Sequence, residues 1–174
     1  IMINNMVGSN EAGIYSLAYS ISQIMTVLNT ALLQTIEPWM YKKIKANRME
    51  DLSGVAYPAV IGVSAVNILL IAFAPEAIAL FAPPAYYDAI WVIPPVAMSV
   101  YFMFAYSFFA VFEFYYEKTK YIAIATVSGA VLNIVLNYIF IKLFGYCAAG
   151  YTTLACFIIF AVYHFHFMRK ICKK

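Results

Sequence analysis

The stretch from Tyr121 to Ile141 carries no charged residue. As a helix it is long enough to cross the hydrocarbon core of a bilayer, which takes about 20 apolar residues. Two amides, Asn133 and Asn137, stand inside it. At this spacing both side chains lie on one helix face, one turn above the other. An amide without a partner in hydrocarbon is costly, so the pair points at another helix, a wet cavity or an ion. A turn holding Gly145 and Gly150 follows, and a further apolar run opens with Thr152 and Thr153.

Similar runs recur along the chain. Of its 174 residues, 65% are hydrophobic and only 11% charged, against roughly 25% charged in a soluble domain. Too few charges remain to cover a water-facing surface, so the fold class expected is an all-α polytopic transmembrane bundle. The spans expected run approximately over 12–36, 52–74, 89–114, 121–142 and 150–169. Ile1–Glu11 reads as the tail of a preceding helix and a short loop, giving five full spans plus the end of a sixth. Residues 1–174 are then expected to be the C-terminal transmembrane part of something larger.

The net charge of +3 is small, and the basic residues fall between apolar runs. That is topology information rather than a nucleic-acid footprint. Clusters at Lys42, Lys43, Lys45 and Arg48, at Lys118 and Lys120, and at Arg169, Lys170, Lys173 and Lys174 alternate correctly if they face the cytoplasm. Lys142 alone falls on the outer side. Cys147, Cys156 and Cys172 show no disulfide or metal spacing. His164 and His166 lie on different helix faces and are expected at the membrane interface. There is no Gly-rich phosphate loop, Ser/His/Asp set or paired carboxylates, so an enzyme is not expected.

Polar residues inside the spans are not scattered. Tyr15, Tyr19, Ser22, Thr26 and Asn29 follow helical steps along the first span, flanked by Ser16, Ser20, Gln23 and Thr30. Leu17, Ile21, Ile24, Leu28 and Leu32 hold the opposite side. Such a stripe faces either a water-filled path or a neighbouring helix packed through small polar groups. Tyr15, Tyr19, Ser22, Gln23, Thr26, Asn29, Tyr101 and Tyr106 are the candidates for a substrate cavity, tyrosines being suited to stacking on sugars. Asn67 is expected to pair with a neighbouring helix. Pro38 is expected to end the first span, Pro75 to open a short interfacial helix, and Pro94 and Pro95 to break the third span, as a hinge or as a static kink. Glu113, about one turn inside the boundary, either pairs locally or takes part in a proton relay.

Several stretches together resemble a known family: Gly13-Ile-Tyr-Ser-Leu-Ala-Tyr, Glu37-Pro-Trp-Met-Tyr-Lys-Lys, Tyr115-Tyr-Glu-Lys-Thr-Lys, Leu132-Asn-Ile-Val-Leu-Asn-Tyr-Ile-Phe-Ile and Phe144-Gly-Tyr-Cys-Ala-Ala-Gly-Tyr-Thr-Thr-Leu. The chain resembles the C-terminal half of Wzx-like polysaccharide repeat-unit flippases of the MOP/MATE exporter superfamily. The resemblance implies one lobe of a two-lobed transporter in the bacterial cytoplasmic (inner) membrane. It implies an undecaprenyl-diphosphate-linked oligosaccharide as cargo, moved by alternating access for polysaccharide, O-antigen or capsule biosynthesis. The partners implied are the bilayer, that lipid-linked sugar and an N-terminal lobe, with no nucleic acid and no cofactor beyond a coupling ion, Na+ or H+. Some relatives hold sodium in this lobe. Carried over by spacing, the donors are Asn133, Asn137, the Ala149 carbonyl and Thr153, with Asn137 standing where those relatives have a carboxylate. A drug or cation antiporter of the same superfamily is the alternative, and it would want a carboxylate within the membrane.

Overall fold

The computed structural model describes residues 2–172 and is built of helices. Ile1 and the Lys173 and Lys174 of the last basic cluster lie outside the described residues. A short helix α1 (Met2–Met6) leads into α2 (Ser9–Lys45), α3 (Ser53–Phe81), α4 (Ile93–Tyr115), α5 (Thr119–Phe144) and α6 (Ala148–Cys172). The five helices α2 to α6 are long and apolar enough to cross a membrane. Short 3-10 segments over Met49–Leu52 and Pro84–Trp91 precede α3 and α4.

The helix α4 is central. It packs most heavily against α6, then against α2 and α3, and 56% of its most apolar stretch is buried, against 17% for α3 and α5. The faces left open on α3 and α5 are large and apolar, among them Ile61, Ile68 and Phe73, and Val127, Val131 and Ile134. In water such faces would be untenable, whereas acyl chains cover them at no cost. One core cluster joins Met25, Met40 and Ile44 of α2 to Phe104, Phe108 and Phe112 of α4. A second, toward the opposite end, joins Ile14 and Ala18 to Ile78, Ile93 and Val96.

The prolines behave differently from the sequence-based expectation. Pro38 lies inside α2, which continues to Lys45. Its ring faces outward, and Ile36, Met40 and Ile44 around it are buried against α4 and carry the helix through. The 37 residues of α2 reach about 55 Å at ~1.5 Å per residue, well past a hydrocarbon core of about 30 Å. Pro75 opens no separate helix, because α3 runs on to Phe81 with Ala74 and Ile78 buried on either side of it. Pro94 and Pro95 break nothing. They occupy the first turn of α4, where the missing N–H has no intrahelical acceptor to lose. Asn67 does pair with a neighbouring helix, its Nδ2 lying 3.4 Å from the Met98 sulfur.

Candidate functional site

Several polar groups of α2, α4, α5 and α6 line two clefts on either side of a polar seam. The seam begins with the amides of α5. Asn137 Nδ2 donates to Asn133 Oδ1 at 2.9 Å, and Asn133 Nδ2 points to the Cys156 sulfur of α6 at 3.7 Å. The Thr152 hydroxyl donates across the helix pair to Asn137 Oδ1 at 2.5 Å, and lies 3.1 Å from the Ala149 carbonyl. The amides thus find the partners that their place in an apolar helix demands. Of the four donors carried over for a cation, Asn133, Asn137 and the Ala149 carbonyl come together. Thr153 stands one residue beyond the hydroxyl that closes the chain. It is instead the polar neighbour of the Tyr15 hydroxyl.

The first cleft, of about 470 Å³, lies between α1, α2, α5 and α6 and is lined by Tyr15, Ser16, Tyr19, Asn137, Ile141 and Ala149. Tyr19 is 48% exposed, so its ring is open on the cleft side of α2. The remaining members of the α2 stripe are divided. Gln23 and Thr26 are half-buried. Ser22 and Asn29 are sealed in the interior, Ser22 donating to its own helix at Ala18 O and Asn29 Nδ2 to Val100 O of α4 at 3.1 Å. The opposite side is divided as well: Ile24 at 63% and Leu28 at 39% exposed face outward, whereas Leu17, Ile21 and Leu32 pack against the core clusters. In the turn between α5 and α6 the pKa of the Tyr146 hydroxyl is pushed up to about 12, first by burial, then by the Cys147 thiol, Asp88 and Glu11 near it. It stays protonated at any ordinary pH.

The second cleft, of about 330 Å³, lies between α4, α5 and α6 and is lined by Tyr106, Thr126, Asn133, Thr153, Phe160 and His164, among others. Tyr106 stacks on Phe157 with ring centroids 6.0 Å apart and lies 5.4 Å from the His164 ring. Tyr101 does not reach this cleft and packs against the core cluster of α2 and α4.

His164 does not face outward from the bundle. It is 2% exposed, and its Nδ1 lies 2.6 Å from Oε1 of Glu113, which is wholly buried. His166 is exposed, as its different helix face requires. Glu113 therefore pairs, but with a residue fifty-one positions away rather than a local one. A signal existed in the sequence. Glu113 stands as many residues before Lys118 as His164 does before Arg169, so two spans running the same way place them at one depth. No group of three His, Cys, Asp or Glu suited to a metal occurs among the described residues.

Comparison with protein-family models, with curated proteins and with solved structures finds no match to this chain.

Proposed function

We propose that this chain is one lobe of a bacterial inner-membrane flippase. It would move an undecaprenyl-diphosphate-linked oligosaccharide across the bilayer by alternating access, with a second, N-terminal lobe closing the cavity. The observation that carries the reading is the first cleft. There Tyr15, Ser16 and Tyr19 of α2 face Asn137 and Ala149 beside an otherwise apolar bundle. Exposed aromatic rings and hydroxyls at membrane depth suit the apolar faces and hydroxyl edges of sugars. The bare apolar faces of α3 and α5 leave the lipid tail room to stay in the bilayer. The sequence motifs that resemble such flippases support the same reading.

The wholly buried Glu113 favours a second reading, a cation antiporter of the same superfamily, which needs a carboxylate within the membrane. One experiment separates the two. The full-length protein is expressed in a strain lacking its own repeat-unit flippase, and surface polysaccharide is measured. Restoration is expected, and Tyr15→Ala with Tyr19→Ala should reduce it. Failure to restore, together with resistance to cationic drugs, would replace the flippase by the antiporter.

A further inference from the structure

Glu113 and His164 lie at the basic ends of α4 and α6, in side-chain contact at 2.6 Å, and the second carboxylate oxygen, Oε2, is buried without a hydrogen-bond partner. His164 also forms part of the wall of the second cleft. As a device for holding helices together this is poor. A buried ion pair gains little over apolar side chains of the same volume, and a half-satisfied one is worse. An ionisable pair within an apolar bundle more often marks a path for ions or protons.

We propose that Glu113 and His164 form a proton-exchange site, loaded from the second cleft through the imidazole ring, that couples the α4–α6 contact to the transport cycle. Unloaded, the imidazole keeps one hydrogen, on Nδ1, and donates it to the carboxylate, so the pair carries one negative charge. Loading adds a proton from water at the other ring nitrogen, and the Nδ1 hydrogen passes to Oε1. The pair is then neutral overall, as imidazole with carboxylic acid or as imidazolium with carboxylate. Release runs the same steps backward and returns the proton to water, with nothing oxidised or reduced. A dry contact suits the neutral form, while the anionic form calls for water at Oε2. Proton occupancy and closure of the contact therefore bias each other.

The groups around the pair leave this balance to the imidazole. On α6 the Tyr163 ring lies edge-on to His164 at 5.3 Å, and on α4 Tyr106 lies at 5.4 Å. From α5 the cleft receives Thr126 and Asn133, which do not ionise. On α2 Tyr41 is hydrogen-bonded to Glu37 at 2.5 Å, and its ring stands 5.6 Å from that of Tyr115. No lysine or arginine pairs with Glu113 among the described residues.

That the proton serves transport rests on the function proposed above, whereas the exchange itself does not. The test uses the full-length protein in liposomes of phosphatidylethanolamine and phosphatidylglycerol. Infrared difference spectra across neutral pH should show a carboxylic-acid C=O band that grows with acid and is missing in Glu113→Gln. In His164→Gln its midpoint should move by about 1–3 pH units. A band that survives Glu113→Gln, or a midpoint unmoved in His164→Gln, overturns the site. Should either variant fail to fold, ring-nitrogen NMR of ¹⁵N-histidine-labelled protein, with His166 and every histidine outside residues 1–174 replaced by Gln, reads His164 alone. A ring that titrates supports the site, and one that never changes overturns it. In the same liposomes an imposed pH gradient should speed translocation of a fluorescent undecaprenyl-diphosphate-linked disaccharide about 5-fold or more, and not in Glu113→Gln. Equal rates with and without the gradient overturn the coupling and leave the flippase standing. Proton exchange without movement of the lipid-linked sugar overturns the flippase and leaves the exchange site standing.

Discussion

The Phe160 ring lies directly over Gly129, so that a Cβ added at residue 129 would stand 2.0 Å from Cζ of that ring. This contact brings α5 and α6 together beside the second cleft, whose wall both residues form. Gly129→Val should push the ring aside and lower the stability of the detergent-solubilised protein by about 1–3 kcal/mol, the usual cost of overpacking. Phe160→Leu in the same background should recover part of the loss. Thermal unfolding of the two single variants and the double variant measures the coupling, and strict additivity would refute the contact.

The seam between α5 and α6 is closed by one hydroxyl. Thr152→Val keeps the shape and leaves Asn137 Oδ1 without its donor. A loss of about 1 kcal/mol is expected. Thr153→Val, which spares the chain, should cost less. Equal losses would show that the hydroxyl at 152 contributes nothing particular.

The same bonds bear on sodium. The oxygens of both amides each already accept one hydrogen bond, from Asn137 and Thr152, so a cation would have to share them with those donors. Exchanging sodium for potassium is therefore expected to leave the melting temperature of the purified protein unchanged. A sodium-dependent rise that Asn133→Leu abolishes would assign the seam to a cation instead.

Pro94 sits in the first turn of α4, where it removes no intrahelical hydrogen bond. Pro94→Ala should change stability by about 1 kcal/mol or less, through the entropy of the unfolded chain. The transport rate should stay close to that of the parent. A many-fold change in rate at unchanged stability would restore the hinge role that a proline pair in mid-span would have.

Topology can be read from the chain's own thiols. Cys147 is half-buried in the turn between α5 and α6, and Cys172 is exposed beyond Arg169 and Lys170. With basic ends inside, an impermeant maleimide should label Cys147 in intact cells and Cys172 only in inverted vesicles. The reverse pattern would invert the orientation.

The long apolar helices were legible because lipid leaves a chain few alternatives: its backbone must close its own hydrogen bonds. Their ends were less so. Pro38 and Pro75 look like stops when only the local backbone is considered, but Met40, Ile44 and Ile78 find partners across the bundle and hold the helix past them. Spacing put Asn133 and Asn137 on one face, and they do bond each other. It could not say whether Thr152 or Thr153 would answer, since that depends on how α6 is rotated against α5. Nor does periodicity along α2 reveal that Ser22 and Asn29 turn inward while Tyr19 stays open, because both sides of the stripe are polar. The contact between Glu113 and His164 needs the register of two spans far apart in the chain.

At the other end of the same two helices, Gly150 lets α6 lie so close to α4 that a Cβ there would stand 3.1 Å from Pro95 Cγ and 3.3 Å from Val96 Cγ2. With Glu113 and His164 clasped below, α4 and α6 are fastened top and bottom like a splint. Meanwhile α5 leans mainly on α6. Any swing of α5 would therefore carry α6 along or open the seam between them, and both clefts would change width with it.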